Sequence, residues 1–182
     1  MKQYFHVDLD GTLVNTLAAN CLSYKDSIET IGSKWDPEIE IEIKRGEKSE
    51  VFLKKTLNLS SNEIRSVIAH KNRIYPSFFH LIEPNTELMD FLKKNESKFS
   101  IVTNANRGNT ERILKYFDLH KEIDFIVASE DVLSGKPNPD PYLRSVELVS
   151  LKYSHALEHV AIEDSLLGEI SARRAGIKVI RM

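Results

Sequence analysis

The sequence predicts an open α/β fold: a Rossmann-like parallel sheet with helices on both faces, and a small all-helical cap inserted after the first strand. Three observations predict it. Five short apolar segments, rich in Val, Ile and Phe, each run into a polar cluster, which is the look of buried parallel strands. Helical spacing separates most of them. The stretch from about Thr16 to Leu81 carries no strand pattern at all.

The expected strands are Tyr4–Leu9, Phe99–Val102, Asp124–Val127, His159–Ile162 and Ile177–Ile180. Leu88, Phe91 and Leu92 give Thr86–Asn95 a helical face, and Ile113, Leu114 and Phe117 do the same for Thr110–Phe117. In Tyr142–Leu151, Leu143 and Val146 follow Asp140-Pro141, read as an N-cap with proline at the first helical position. Ser165–Ala175 stops at Gly176. In the insertion, Ser60-Ser61-Asn62-Glu63 is a capping-box pattern continued by Ile64, Val67 and Ile68. Gly32 and Gly46 punctuate earlier helical stretches, and Glu38–Glu42 reads as a solvated helix face. The insertion is about 65 residues, far more than a crossover helix needs, so the expected division is a core of 1–15 and 82–182 with a cap of 16–81.

Composition narrows the function classes. Of 182 residues, 41% are hydrophobic, enough for a packed core. Lys and Arg number 25 against 27 Asp and Glu, for a net charge of -2. That argues against bulk electrostatic binding of nucleic acid and against a polybasic membrane binder. The single Cys21 excludes an internal disulfide and a Cys-rich zinc site. No apolar run reaches the ~18 residues of a membrane span. The start Met1-Lys2-Gln3-Tyr4 does not read as a signal peptide, so a cytoplasmic protein is expected.

Chemistry concentrates at the strand ends, where open parallel sheets bind ligands. The first strand runs into Asp8-Leu9-Asp10-Gly11-Thr12. Two nearby carboxylates need a cation or a shared proton, and a hard cation such as Mg²⁺ suits oxygen ligands. In isolation the same residues read equally well as a turn capped by its own Asp side chains. The other strand ends change that balance. Thr103-Asn104 follows the second, Lys136-Pro137-Asn138-Pro139-Asp140-Pro141 follows the third, and Glu163-Asp164-Ser165 follows the fourth. Carboxylates for a cation, a lysine for phosphate charge and a hydroxyl-amide pair for phosphoryl oxygens make one coherent set.

These four motifs, Asp8-Leu9-Asp10-Gly11-Thr12, Thr103, Lys136-Pro137 and Glu163-Asp164, resemble those of the haloacid dehalogenase-like hydrolases over nearly the whole chain. The helical insertion resembles the cap of phosphoglycolate phosphatase-like and beta-phosphoglucomutase-like members. By that resemblance Asp8 is the nucleophile that forms an aspartyl phosphate. Asp10 is the general acid and then the base. Mg²⁺ is held by the Asp8 carboxylate, the Asp10 carbonyl and Asp164, with Glu163 acting through water. Thr103, Lys136 and the backbone amides of Leu9 and Asn104 contact the phosphoryl group. A second Asp at position 10 favours phosphoryl transfer over carbon–halogen cleavage.

The resemblance therefore implies a Mg²⁺-dependent phosphatase acting on a small phosphorylated metabolite. The alternative within the family is a phosphotransferase or sugar-phosphate mutase. The mutases carry a cap histidine where this chain has Asn20 and a cap arginine near Ser49, and both are absent. A receiver-type signalling domain is too short to match, and a catalytically dead binder fits poorly with a full motif set. Cap candidates for substrate contact are Arg45 and Lys71, and Arg107 on the core is a third. Lys71-Asn72 resembles a substrate-contacting pair of mutase-like members. Tyr24 and Trp35 are expected to pack in the cap, and Cys21 to be buried there. His155 and His159 are rejected as metal ligands, and Arg173-Arg174 is expected on the surface.

Overall fold

A computed structural model of the protein describes residues 2–94, 98–154 and 157–182. Its centre is a five-stranded sheet in the order β5-β4-β1-β6-β7, every neighbouring pair parallel. The strands are β1 (Gln3–Val7), β4 (Phe99–Val102), β5 (Ile123–Val127), β6 (Glu158–Glu163) and β7 (Lys178–Arg181). Each lies within two residues of its predicted position.

The chain leaves β1 for β4 on one side, returns past β1 to β6 on the other, and so makes β1 the switch point of the sheet. The crevice at the carboxyl ends of β1, β4 and β6 is where such a topology binds ligands. α5 (Thr86–Lys94) and α6 (Arg107–Tyr116) cover one face, where Val7, Leu9, Ile101, Ile113 and Leu114 are fully packed. α7 (Asp140–Lys152) and α8 (Leu166–Arg174) cover the other, with Val102, Val127, Tyr142, Ala161 and Ala172. Asn106 caps α6 by accepting from Asn109 N, and Ser165 caps α8 by accepting from Gly168 N. α7 starts one residue earlier than the sequence suggests. Pro139 is the N-cap and Asp140 lies inside the first turn, because Pro141 is tolerated there while Asp140 adds favourable charge.

Two very short strands escaped the sequence reading. β2 (Val14–Asn15) and β3 (Glu83–Pro84) pair antiparallel, Val14 opposite Pro84 and Asn15 opposite Glu83. Two residues leave no period to detect. They tie together the chain entering and leaving the helical insertion.

The insertion comprises α1 (Leu17–Glu29), α2 (Glu38–Lys44), α3 (Ser49–Leu57), α4 (Ser61–Ile74) and a 3₁₀ helix (Tyr75–Leu81). The capping box at Ser60 and Glu63 forms reciprocally. Tyr24, Ile28, Ile39, Phe52, Leu53, Leu59, Ile64 and Val67 make a hydrophobic cluster of the insertion's own, with Trp35 against it. Ala19, Tyr75 and Phe79 instead join the cluster on the sheet. The acidic run is not wholly solvated. Glu42 is 3% exposed, where Lys55 and Arg45 donate to its Oε1. Cys21 is half-buried rather than buried. Arg173 lies on the surface, as expected, paired with Glu169. His155 falls outside the described residues. Among the described residues no helix is long and apolar enough to cross a membrane.

Ile101 is completely buried at the centre of the sheet. Ile101→Ala is expected to lower the unfolding free energy by about 2–5 kcal/mol in urea titration. Ser60→Ala, which removes only a helix cap, is expected to cost about 1 kcal/mol. A smaller loss at Ile101 than at Ser60 would contradict the packing described.

Candidate active site

The strand ends bring four of the predicted motifs into one crevice. Asp8 follows the last residue of β1, and its amide still donates to Ile162 O of β6 at 3.0 Å. The residue is 6% exposed, and its carboxylate accepts from Lys136 Nζ at 2.6 Å on Oδ1. The same ammonium donates to Glu163 Oε1 at 2.5 Å, and Glu163 is fully buried at the end of β6. Burial pushes the Asp8 carboxyl well above the usual range, Glu163 adds to the rise, and Lys136 pulls against it. Burial opposes the Lys136 charge, but Asp8 and Glu163 outweigh it and hold the ammonium above its ordinary range.

Asp10 turns away from this pair. Thr16 Oγ1 donates to its Oδ1 at 2.5 Å, Asn20 Nδ2 reaches the same oxygen at 3.4 Å, and Thr103 Oγ1 reaches Oδ2 at 3.4 Å. The two carboxylates of the first motif therefore have different surroundings, the condition for different roles in acid-base chemistry.

Asp164 accepts from Thr12 Oγ1 at 3.0 Å. Its carboxyl is raised by burial, partly offset by that hydrogen bond. Gly11 is fixed here by two constraints. Its φ is 89°, and a Cβ on it would sit 2.1 Å from Asp164 Oδ2. Oxygens of Asp8, Glu163 and Asp164 lie within 4.8 Å of one another. Opposite ligands of a Mg²⁺-sized ion stand about 4 Å apart, so the oxygen set fits a small divalent cation. Burial disfavours the charge on Asp8 and Asp164, and a cation beside them would offset that. Glu163 is the least free of the three. Its Oε1 also accepts from Tyr142 OH at 2.5 Å, and a Cβ on Gly168 would overlap its carboxylate at 2.0 Å.

Thr103 is buried beside Asp10 and Asn104 follows it. The Asn104 carboxamide pairs with the Lys136 backbone, accepting from N at 2.9 Å and donating to O at 3.2 Å. Lys71 comes into this region from α4. It is 6% exposed, with Nζ 3.6 Å from the Tyr75 ring centre and 5.0 Å from that of Tyr24. Burial pushes its ammonium down to about 8, and Asp10 opposes that shift.

The other two substrate candidates are not brought to the crevice. Arg45 pairs with Glu42 and its side chain is 59% exposed. The Arg107 guanidinium is taken up by Asp131 at 2.5 Å and the Ile126 carbonyl at 2.9 Å. Asn72 faces Asn106 and Asn109 rather than accompanying Lys71. His159 lies against His6, at 2.9 Å between ring nitrogens, far along β6 from the acids.

The sequence reading missed Thr16, Asn20, Tyr142 and Lys48. Lys48 Cε passes over Gly135, so close that a Cβ there would lie 2.3 Å away. Lys48 stands three residues from Arg45 in one basic tract. Composition marks such a tract, but only the turn at Gly46 decides which of its side chains faces the core.

Comparison with known proteins agrees with this geometry. Residues 7–182 match the family model of haloacid dehalogenase-like hydrolases. The PpaX protein of Caldanaerobacter subterraneus subsp. tengcongensis, which carries a pyrophosphatase name, is 31% identical over 95% of this chain and 78% of its own length. A phosphorylated carbohydrates phosphatase of Thermotoga maritima is 25% identical over 95% of this chain and 81% of its own. CbbY of Rhodobacter sphaeroides, solved with xylulose-1,5-bisphosphate, shares the fold at a TM-score of 0.83 and 21% identity, covering all of this chain and 86% of that one.

Lys71 yields a test independent of activity. A base held below its ordinary value binds its proton less tightly folded than unfolded, so stability rises with pH between about 8 and 10.4. Lys71→Met is expected to raise stability near neutral pH by on the order of 3 kcal/mol and to flatten that rise. Urea unfolding at several pH values reads it, and an unchanged pH slope contradicts the buried charge.

By the family match over residues 7–182 and the motif set that lines its crevice, the chain belongs to the haloacid dehalogenase-like hydrolases and is a phosphatase of that family.

Proposed function

We propose that the protein is a Mg²⁺-dependent phosphomonoesterase that hydrolyses small phosphorylated metabolites through an aspartyl phosphate on Asp8. One observation carries the reading: among the described residues the Asp8 carboxylate accepts from Lys136 alone, whereas Asp10 sits apart on hydroxyl and amide donors. In the first step an Asp8 oxygen bonds to phosphorus as the ester P–O bond breaks. The proton on Asp10 passes to the leaving alkoxide. In the second step Asp10 takes a proton from water, the water oxygen bonds to phosphorus, and the acyl phosphate bond breaks. Inorganic phosphate leaves and Asp8 is restored.

Lys136, Thr103 and the amides of Leu9 and Asn104 bind phosphoryl oxygens in this scheme. Asp8, the Asp10 carbonyl and Asp164 would hold the cation in this scheme, and Glu163, whose carboxylate lies in the same oxygen cluster but is engaged by Lys136 and Tyr142, would act through water. Mg²⁺, when bound, supplies positive charge against the charge of the phosphoryl group.

Residues 16–81 form the cap in this reading, with 1–15 and 82–182 as the core. The insertion's own hydrophobic cluster supports that division. Lys71, with Tyr24 and Tyr75, faces the leaving group, and its ammonium favours an oxygen-rich or anionic metabolite. Sugar phosphates fit that description, as do the phosphorylated carbohydrates in the name of the Thermotoga relative and the bisphosphate bound to CbbY.

With p-nitrophenyl phosphate, Asp8→Asn is expected to abolish turnover, and EDTA to remove activity that Mg²⁺ restores. Full activity in the variant sinks the nucleophile assignment, and indifference to EDTA sinks the cation. Across a panel of sugar phosphates, one inorganic phosphate is expected per alcohol released. An isomerised sugar phosphate in place of phosphate would point to a mutase instead.

A further inference from the structure

The Asn104 side chain has three hydrogen bonds, and they join two parts of the chain. Two go to the backbone of Lys136, at 2.9 Å and 3.2 Å. The third runs from Nδ2 to the carbonyl of Gly46 in the helical insertion, at 3.0 Å. One carboxamide thus links the insertion to the residue whose ammonium bridges Asp8 and Glu163.

The surrounding packing makes a notch for that contact. Gly46 adopts a φ of 74°, and a Cβ on it would touch Ser165 Oγ, the cap of α8, at 3.5 Å. Lys48 lies across Gly135 on the far side. A Cβ on Gly135 would meet Lys48 Cε at 2.3 Å and Asn104 Oδ1 at 2.5 Å. Residues Gly46 to Lys48 therefore seat among Gly135, Asn104 and Ser165, most tightly where Lys48 crosses Gly135.

We propose that Asn104 is a closure latch: its carboxamide couples seating of the 46–48 loop to the placement of Lys136. This rests on the cap reading given above. With the loop lifted, Nδ2 keeps only the Lys136 carbonyl. With the loop seated, it gains the Gly46 carbonyl, so the carboxamide whose two bonds position the Lys136 backbone is itself fixed. One hydrogen bond of ordinary net strength shifts an open–closed balance by about fivefold, enough to favour closure without preventing release. Asn104 acts through Lys136 in this role and is a positioning residue. Its backbone amide, assigned to the phosphoryl group, is untouched by a change of side chain.

The test uses amide hydrogen exchange and steady-state kinetics on the full chain with Mg²⁺. Asn104→Ala removes the latch. Gly135→Ala wedges it open from the other side, since Gly135 has no positive φ and its new Cβ displaces Lys48 and Asn104. Both variants are expected to speed exchange at residues 46–49 about fivefold and to leave Ser61–Ile74 unchanged. Both are expected to lower kcat/KM for p-nitrophenyl phosphate, with Asn104→Ala also lowering kcat because Lys136 loses its backbone partner. If Asn104→Ala does not fold, Gly135→Ala decides alone. Unchanged exchange at 46–49 overturns the latch, as does a rise that spreads through Ser61–Ile74. Faster loop exchange with unaltered kinetics in an active enzyme overturns the coupling to Lys136. A wild-type chain inactive on every phosphate ester would defeat the phosphatase reading, while the exchange data would still judge the contact.

Discussion

The Lys136 ammonium is the charge around which the crevice is organised. It is 4% exposed and lies 2.6 Å from Asp8 and 2.5 Å from Glu163, with Asp164 close by. Removing these charges from water is costly, and one ammonium cannot balance three acids. A cation among these oxygens would offset the remaining negative charge. The acids are also closely confined. Gly11 and Gly168 bring backbone against Asp164 and Glu163 where no side chain fits, and the Tyr142 hydroxyl donates to the Glu163 Oε1 that Lys136 also holds, while Ser165 Oγ donates to Oε2.

Beneath the crevice the two faces of the sheet differ. The face under α5 and α6 is apolar throughout. The face under α7 is not. His6, Ser100 and Ser145 share a buried hydrogen-bond cluster, and His6 passes to His159. Burial pushes His6 down to about 3, with His159 adding to the effect, so the ring is neutral inside the protein. A satisfied polar network in a poorly polarisable interior fixes one arrangement of its members. Here it pins α7, the helix that carries Tyr142, to the strand that ends in Asp8.

The insertion meets the core differently. It keeps its own apolar cluster, while many of its contacts with the core are polar: Asn72 with Asn106 and Asn109, Arg112 with the Asn72 carbonyl, and Asn104 with Gly46. Polar contacts can exchange with water at small net cost, which apolar burial cannot. The paired strands β2 and β3, and the apolar packing of Ala19, Tyr75 and Phe79 on the sheet cluster, also join the insertion to the core.

Local patterns carried much of this protein in the sequence. Apolar runs and capping residues mark five strands and most helices, because burial of a whole strand and satisfaction of a helix end act within a few neighbours. Asp8, Asp10, Lys136 and Asp164 stood out because their residue types recur at strand ends, where topology gathers them. Tertiary structure decided the rest. Which member of the Lys44–Lys48 tract reaches the core depends on the left-handed turn at Gly46. Arg45 and Arg107 found carboxylates of their own, and a side chain's choice among several partners is settled by distances that sequence spacing does not encode. Thr16 and Asn20 meet Asp10 only because the chain folds back through β2 into α1, and Asn104 meets Gly46 across 58 residues. The acids and the lysine are properties of the sequence; their shared burial, which gives them their chemistry, belongs to the fold.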